Sequence, residues 1–392
     1  MDLRYSVEDE AFRAEVRSWL DVNLPVEWRE FTVGGERTND NLDRQRAWQT
    51  RLYEGGWLKL SWPRESGGRG ASPVQQAIFT EELARAGAPS MLGRLGVILA
   101  SPLLNAAGSS WQRATYLDRL LRGDEIWCQG FSEPNAGSDL ASLRTRAVHR
   151  DGHWILNGQK VWSSAAHLAR RSFLLARTAP DGIPAHQGIG YFIVDLEQPG
   201  VEVRPIRQLN GSLEFGEIFL SNAVVEDRDV VGGPTDGWQL AMMTFAFERG
   251  TAQNAFRFER AVNRMADLAR QLGRGGDPVI RQRVAKAKIL ATVFRMNGLR
   301  ALTRRQRGSP PGPEASLAKL FWSEMDRYDI QEPALSLQGM VGALAPEDDL
   351  AIDGRMWQDA WMYAQAETIF AGSSEIQRNI IAERVLGLPR SR

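Results

Sequence analysis

The chain has 392 residues, which is enough for two or three packed domains of about 100 to 200 residues each. Its composition, 43% hydrophobic and 24% charged, excludes a disordered, collagen-like or disulfide-scaffold protein. Lys plus Arg equals Asp plus Glu at 48 each, so no net charge draws the protein to nucleic acid or to an anionic membrane. The single cysteine, Cys128, excludes an internal disulfide and a cysteine-based zinc site, and we expect a cytoplasmic protein.

The beginning of the chain and its most apolar stretch bear on targeting. The first ten residues are acidic and lack an apolar core, so we expect no secretory signal. The stretch from Met91 to Gly108 is interrupted by Arg94, Gly96, Pro102 and Asn105. A membrane span needs about 20 apolar residues in succession, so we also expect no span.

The first part of the chain has the three- and four-residue apolar spacing that is typical of amphipathic helices. This spacing predicts helices over Val7 to Leu20, Asn41 to Glu54, Pro73 to Ala86 and Trp111 to Leu121. We therefore predict an all-α N-terminal domain over residues 1–125.

The pattern changes to short strands near Cys128. The dipeptide Asn157-Gly158 separates two short apolar runs and predicts a two-residue hairpin turn between them. Further strands are predicted over Phe173 to Arg177, Gly190 to Leu196, Val201 to Ile206 and Glu214 to Leu220. We therefore predict a middle β domain over residues 126–235.

The remainder of the chain has four long helical patterns. They cover Trp238 to Leu272, Pro278 to Arg305, Glu314 to Met340 and Met356 to Leu386. Four is the usual number for an antiparallel bundle, so residues 236–392 are predicted to form a C-terminal four-helix bundle. The predicted fold class is α+β with three domains.

The common catalytic motifs are missing from the sequence. It has no glycine-rich dinucleotide motif between a strand and a helix, no P-loop and no Gly-x-Ser-x-Gly elbow. The four histidines do not have the helical spacing of a metal site, so we expect no metal.

One acidic residue, Glu248, has an unusual position on the helix predicted from Trp238. It follows Phe245 by three residues and precedes Ala252 by four, so it shares a face with apolar side chains. It could be a surface carboxylate paired with an arginine such as Arg249. It could also be a buried carboxylate whose pKa is raised by desolvation, which would suit a general base.

Three segments carry a resemblance to a known family. Residues 127–139 read WCQGFSEPNAGSD, residues 157–164 read NGQKVWSS, and residues 370–379 read FAGSSEIQRN. In this order and spacing they resemble the acyl-CoA dehydrogenase family over nearly the whole chain. The resemblance implies a helical N-terminal domain, a β-barrel-like middle domain and a C-terminal four-helix bundle, with FAD bound between them and across a subunit contact.

The resemblance assigns several middle-domain residues to the flavin. Gln129, Phe131 and Ser132 would lie along it, Trp162 would pack on the isoalloxazine ring, and Ser164 would form a hydrogen bond near N5.

The resemblance also assigns residues to the adenosine end of FAD. Arg281 would contact it from a neighbouring subunit, and Gln338, Gly342, Ser373 and Glu375 match further FAD positions. Two departures weaken this assignment, because the Thr-Phe-Gly that usually follows the arginine is absent and one glycine of a Gly-Gly pair is lost.

For the substrate, Ser138 matches a residue at the pantetheine arm, and Arg249 matches one near the CoA moiety. Most members carry the catalytic glutamate at the position of Ala371. A minority, resembling isovaleryl-CoA and steroid side-chain dehydrogenases, carry it where this chain has Glu248.

The implied reaction is α,β-dehydrogenation of an acyl-CoA to the trans-2-enoyl-CoA. Glu248 would remove the α proton while a hydride passes from the β carbon to flavin N5. A flavin ribityl hydroxyl and the backbone N–H of Ala371 would polarise the thioester carbonyl. An electron-transferring flavoprotein would then accept the electrons.

Alternatives remain open at this point. The acyl group could be tethered to a carrier protein instead of CoA. The chain could form a homodimer or homotetramer, or it could be one subunit of a hetero-oligomer, such as a heterotetramer, whose partner holds the active site.

Overall fold

The computed structural model describes residues 5–29, 41–179, 182–247, 255–309, 312–313, 315–339 and 352–390, and the backbone of Glu248. The chain forms two compact units. One, here called the helical unit, comprises Met1–Glu36, Gly70–Ala88 and Gly250–Arg392. The other, the sheet unit, comprises Arg37–Arg69 and Pro89–Arg249.

The helices are, in chain order, α1 (Val7–Asn23), α2 (Leu42–Glu54), α3 (Pro73–Ala86), α4 (Ser101–Ala107), α5 (Ser110–Arg122), α6 (Gly237–Glu248), α7 (Ala255–Gln271), α8 (Pro278–Gln306), α9 (Ala315–Glu324), α10 (Glu332–Gln338), α11 (Met356–Glu367) and α12 (Ser374–Ile380). Short π-helical segments precede α4 over Gly96–Ala100, join α9 to α10 over Met325–Gln331, and follow α12 over Ile381–Val385.

The helix predictions are confirmed for the N-terminal part. All four predicted helices are present there, and serine caps fix the starts of three of them, α1, α3 and α5. Helix α4 and the π-helical segment before it were not predicted, because a glycine and a proline interrupt the apolar pattern of that stretch. The predicted helix over Trp238 to Leu272 is present as α6 and α7, and residues 249–254 between them lie outside the described chain.

The single helix predicted from Met356 to Leu386 is wrong. It ends at Glu367, and α12 begins only after a loop. Ala371 and Gly372 have φ angles of 52° and 86°, in the left-handed region that a helix cannot continue through. Ser373 then caps α12, accepting a hydrogen bond from Ile376 N at 3.4 Å.

The helical unit has its own hydrophobic core, built around Phe258, Phe294 and Trp357. A buried ion pair ties α1 to α3, since Arg13 Nη1 lies 2.5 Å from Glu82 Oε1. Arg17 contacts the second oxygen of the same carboxylate at 2.8 Å.

Seven strands lie in the described residues of the sheet unit: β1 (Trp127–Gly130), β2 (Arg146–Arg150), β3 (His153–Ser164), β4 (Arg171–Arg177), β5 (Ile189–Asp195), β6 (Val201–Ile206) and β7 (Phe215–Glu226). Their order is β1-β4-β2-β3-β7-β6, and β5 pairs with β4. β4 pairs in parallel with β1 and β2, whereas the remaining pairs are antiparallel. The predicted α+β class is confirmed, and the predicted boundaries at 125/126 and 235/236 stay predictions.

The hairpin predicted at Asn157-Gly158 is wrong, because both residues lie inside β3. The turn is at Asp151-Gly152, between β2 and β3, where both φ angles are positive (49° and 82°). Asn157 instead stabilises a β-bulge in the pairing of β3 with β7. Its Oδ1 accepts a hydrogen bond from Asn222 N at 2.9 Å, and its Nδ2 donates to Asn222 Oδ1 at 3.2 Å.

Helices α4, α5 and α6 cover one face of this sheet. From α6, Leu240 and Ala241 enter the core, and Thr244 Oγ1 lies 3.4 Å from the Tyr191 hydroxyl on β5. None of the described helices is long and apolar enough to cross a membrane.

Candidate active site

The end of β1 places Phe131 at the centre of an aromatic cluster. Its ring meets those of Phe173, Tyr191 and Phe245 edge to face, with centroids 5.9, 5.8 and 5.7 Å away. Phe245 comes from α6 and the other two from strands. This packing fixes α6 against the segment that the family resemblance assigns to the flavin.

A buried ion pair holds the loop that follows Phe131. Lys160 Nζ lies 2.8 Å from Glu133 Oε1 and donates to the Phe131 carbonyl at 3.2 Å. Glu133 also accepts hydrogen bonds from the backbone N–H groups of Arg144 (2.6 Å) and Thr145 (2.8 Å). Both charged side chains are buried, so the loop conformation is strongly specified.

Burial and pairing act in opposite directions on this pair. Burial lowers the pKa of Lys160 to about 8, although the Glu133 carboxylate opposes the shift. Burial raises the pKa of Glu133, but Lys160 and the hydrogen bonds from residues 144 and 145 outweigh it and hold this pKa below its usual value. Neither residue was among the predicted site residues, although Glu133 lies in the segment 127–139 and Lys160 in the segment 157–164. Charged residues on a predicted core strand and loop were the available signal.

Trp162 has a backbone conformation that exposes a large aromatic ring. Its φ angle is 60°, in the left-handed region, and the side chain is 59% exposed. A bulge between β3 and β7 displaces it, and its ring meets Phe215 at 6.1 Å. The preceding residue, Val161, donates its N–H to the Ser132 carbonyl at 3.0 Å. The structure therefore places Ser132 next to Trp162, and Ser164 follows as a half-buried residue, while their contacts with the flavin stay predictions.

The polar atoms around this segment fit a planar cofactor. Gln129 Nε2 and Ser163 Oγ are buried without a hydrogen-bond partner within the described chain. Such atoms are costly unless a ligand or water satisfies them. Together with the exposed Trp162 ring, they suit a flat ring with hydrogen-bonding edges. Ser138 lies further along the loop and is exposed.

Several predicted residues lie in the helical unit. Arg281 is exposed on the first turn of α8, just after the cap formed by Asp277. Gln338 is buried and donates to the Ile352 carbonyl at 2.8 Å, while its Oε1 has no partner within the described chain. Glu375 is exposed on the first turn of α12.

Two further predicted residues, Arg249 and Gly342, lie outside the described chain.

The loop before α12 presents the backbone of Ala371. Its carbonyl accepts a hydrogen bond from Gln377 Nε2 at 3.1 Å, and the Gly372 carbonyl accepts from the same atom at 3.2 Å. Within the described chain no group accepts a hydrogen bond from the Ala371 N–H. The residue is exposed, so this N–H is available to a ligand.

Helix α6 ends at Glu248, whose side chain is not described. The backbone of Glu248 lies one turn beyond Thr244 and Phe245, which contact Tyr191 and Phe131. Its helical position is therefore on the face that packs toward the aromatic cluster. The role of Glu248 as a general base stays a prediction.

Three family models match the chain in sequence order. The N-terminal, middle and C-terminal domains of acyl-CoA dehydrogenase match residues 6–124, 128–223 and 235–386. The chain belongs to the acyl-CoA dehydrogenase family. Because its members are FAD-dependent oxidoreductases, this enzyme is an FAD-dependent acyl-CoA dehydrogenase.

Relatives and solved structures agree over the full length. The acyl-CoA dehydrogenase IpdE1 of Mycobacterium tuberculosis is 41% identical over 391 residues, covering 97% of this chain and 98% of the relative. The Tcur3481-Tcur3483 steroid ACAD has a TM-score of 0.85 at 30% identity and covers all of both chains. The ChsE4-ChsE5 complex from Mycobacterium tuberculosis has a TM-score of 0.83 at 27% identity, also over all of both chains.

Proposed function

We propose that the enzyme converts an acyl-CoA to the trans-2-enoyl-CoA with Glu248 as the catalytic base. This proposal rests on the residues at two positions, 371 and 248. Residue 371 is an alanine and cannot accept a proton, whereas α6 ends in a glutamate on the face that packs toward Phe131.

The chain's own groups would act on the substrate at two atoms. Glu248 takes the proton from the carbon next to the thioester carbonyl. The free N–H of Ala371 stabilises the negative charge that develops on the carbonyl oxygen. FAD, when bound, supplies the acceptor for the hydride that leaves the β carbon.

The binding assignments extend this proposal. The flavin ring is held by Gln129, Phe131, Ser132, Trp162 and Ser164. Contacts to the rest of FAD come from Arg281, Gln338, Gly342, Ser373 and Glu375. The buried, unpartnered Gln129 Nε2 and Gln338 Oε1 support both sets. Ser138 and Arg249 contact the CoA portion of the substrate, and an electron-transferring flavoprotein reoxidises the enzyme.

A steroid-derived or similarly bulky acyl group is the proposed substrate class. The structural relative described as a steroid ACAD supports it. The sequence of α6 adds a second argument, because Met242, Met243 and Phe247 are all about 40% exposed. Flexible methionines next to an aromatic ring can adapt to a large apolar group.

A hetero-oligomer is the proposed alternative to a homo-oligomer. Two of the structural relatives are described by pairs of names, Tcur3481-Tcur3483 and ChsE4-ChsE5. Purification of this chain alone and with candidate partner chains, followed by measurement of mass and FAD content, would decide between the two. A yellow, active homo-oligomer would exclude a required partner.

The activity is tested by anaerobic bleaching of the flavin with straight-chain, branched and polycyclic acyl-CoAs. We expect the polycyclic thioesters to bleach it fastest. The same acyl group on CoA and on a carrier protein would be compared in parallel. Bleaching only by the carrier-bound form would contradict the CoA assignment, and no bleaching by any thioester would contradict the proposed function.

A further inference from the structure

A cluster of buried charges lies at the C-terminal end of α11. Arg257 Nη2, from α7, donates to a carboxylate oxygen of Asp326 and to Glu367 Oε1, the latter at 2.5 Å. Both carboxylates are almost fully buried, with 1% of each side chain exposed. Two acidic groups therefore share one guanidinium nitrogen.

The charges in direct contact do not balance if both acids are ionised, because Arg257 is the one cation within the described chain that contacts the two carboxylates. Lys319 Nζ is directed to the backbone carbonyl of Glu367, at 2.8 Å. Gln331 Nε2 donates to Asp326 Oδ1 at 2.9 Å. Other polar groups nearby include the Arg327 guanidinium, which donates to the Thr368 hydroxyl, and the Tyr363 phenol near Arg257. Two carboxylates bound to the same nitrogen repel each other, which favours retention of one proton between them.

The free oxygen of Glu367 is the place for this proton. Glu367 Oε2 is buried and has no partner within the described chain. An ionised oxygen would be costly in that position, and protonation removes its charge. Burial, opposed by Arg257 and reinforced by Asp326, raises the pKa of Glu367 in agreement with this arrangement.

The cluster adjoins the loop that presents the Ala371 N–H. Thr368 follows Glu367 directly, and its carbonyl accepts a hydrogen bond from Ser374 N at 2.9 Å. At the far side, Gln377 holds the carbonyls of Ala371 and Gly372. The left-handed backbone at Ala371 persists only if its surroundings hold it, and Glu367 is the buried anchor on the N-terminal side.

We propose that Glu367 is a positioning residue that, as a neutral acid bound to Arg257 and Asp326, fixes the loop so that the Ala371 N–H points at the thioester carbonyl. This inference rests on the donor role of Ala371 in the proposed function. Glu367 itself does not touch the substrate. It sets the direction of the hydrogen bond from the Ala371 N–H to the thioester carbonyl.

The test compares Glu367→Gln and Glu367→Leu in the FAD-loaded enzyme. Glutamine keeps a neutral side chain that can both donate and accept, so we expect it to behave like the wild type. Leucine cannot form hydrogen bonds, so Arg257 and Asp326 lose their contacts with the side chain at position 367. We expect its kcat to fall by at least about tenfold with little change in KM, because loss of one oxyanion donor typically costs about 100- to 1,000-fold.

A spectroscopic readout separates positioning from general damage. A conjugated thioester such as cinnamoyl-CoA absorbs at longer wavelength when its carbonyl is polarised by a hydrogen bond. We expect the bound probe to shift to the red in the wild type and in Glu367→Gln, and to lose at least half of that shift in Glu367→Leu. Amide hydrogen exchange of peptides covering residues 368–373 should become faster only in Glu367→Leu.

Glu82→Gln is the matched control, since Glu82 is also a buried carboxylate held by two arginines, Arg13 and Arg17. It should leave the probe shift and the exchange of residues 368–373 unchanged. Wild-type exchange and wild-type probe shift in Glu367→Leu would overturn the positioning role. A wild-type enzyme that binds cinnamoyl-CoA, as seen in its flavin spectrum, without a red shift would instead contradict the donor role of Ala371.

Discussion

In each unit, buried charged side chains hold a loop of the candidate site, but the positive and negative charges in contact are balanced differently. In the sheet unit one ammonium, Lys160, meets one carboxylate, Glu133, and the pair holds the loop beside Trp162. In the helical unit a single guanidinium, Arg257, meets two carboxylates next to the loop of Ala371. A balanced pair fixes its loop without an extra proton. The unbalanced cluster retains one, so its contribution to stability should fall as pH rises toward about 8, whereas the lowered pKa of Lys160 affects stability only above about 8.

The largest expected effect comes from breaking the balanced pair. Lys160→Met leaves the Glu133 carboxylate buried without its counter-charge, which should lower the free energy of unfolding by about 3 to 5 kcal/mol. Chemical denaturation and FAD content would measure it. Adding Glu133→Gln should restore much of the loss. Lys59→Met, at a pair whose Asp118 carboxylate is 71% exposed, should cost less than about 1 kcal/mol. Equal losses at positions 160 and 59 would contradict the role of burial.

A second, intermediate effect concerns the cofactor contact assigned to the helical unit. Arg281→Ala should weaken FAD retention by about 10- to 100-fold, the usual range for one charge-assisted hydrogen bond. Arg283, two residues further along α8 and also exposed, is the matched control. FAD content after dialysis of both variants would measure the effect. If both variants retain FAD equally well, the assignment of Arg281 is wrong.

The smallest effect is the pH response of the unbalanced cluster. Burial, with Asp326 nearby, raises the pKa of Glu367 to about 8 from 4.5. Between these values the folded state holds a proton that the unfolded state has lost, so stability falls as pH rises. From pH 6 to 7.5 this group should lower the free energy of unfolding by about 1 to 2 kcal/mol. Glu367→Gln should flatten the profile in denaturation experiments, and an identical slope in both proteins would contradict a retained proton.

Regular periodicity allowed most of the fold to be predicted. Helix α3 and strand β6 have the predicted bounds. The errors have local causes. The tertiary partner Asn222 recruits Asn157 into a bulge, and a positive φ at Ala371 divides the last predicted helix. Neither cause is visible in the spacing of apolar residues.

The candidate site was predicted mainly from motifs, and the motifs identify residues that would touch a ligand. The structure places Ser132 next to Trp162, and the ligand contacts of both residues stay predictions. Lys160, Arg257 and Glu367 could not be assigned in this way, because their importance depends on burial and on partners far away in the sequence. Charges inside a predicted core element are the one signal that could have identified them.

The most direct test of the account is the rate of anaerobic flavin bleaching by the best acyl-CoA in Glu248→Gln. The amide keeps the shape of the glutamate but is not a base, so FAD content and acyl-CoA binding should match the wild type. The bleaching rate should fall by about 100- to 10,000-fold, the usual contribution of a general base. A folded, FAD-loaded Glu248→Gln enzyme that bleaches at the wild-type rate would contradict the assignment of the catalytic base to α6.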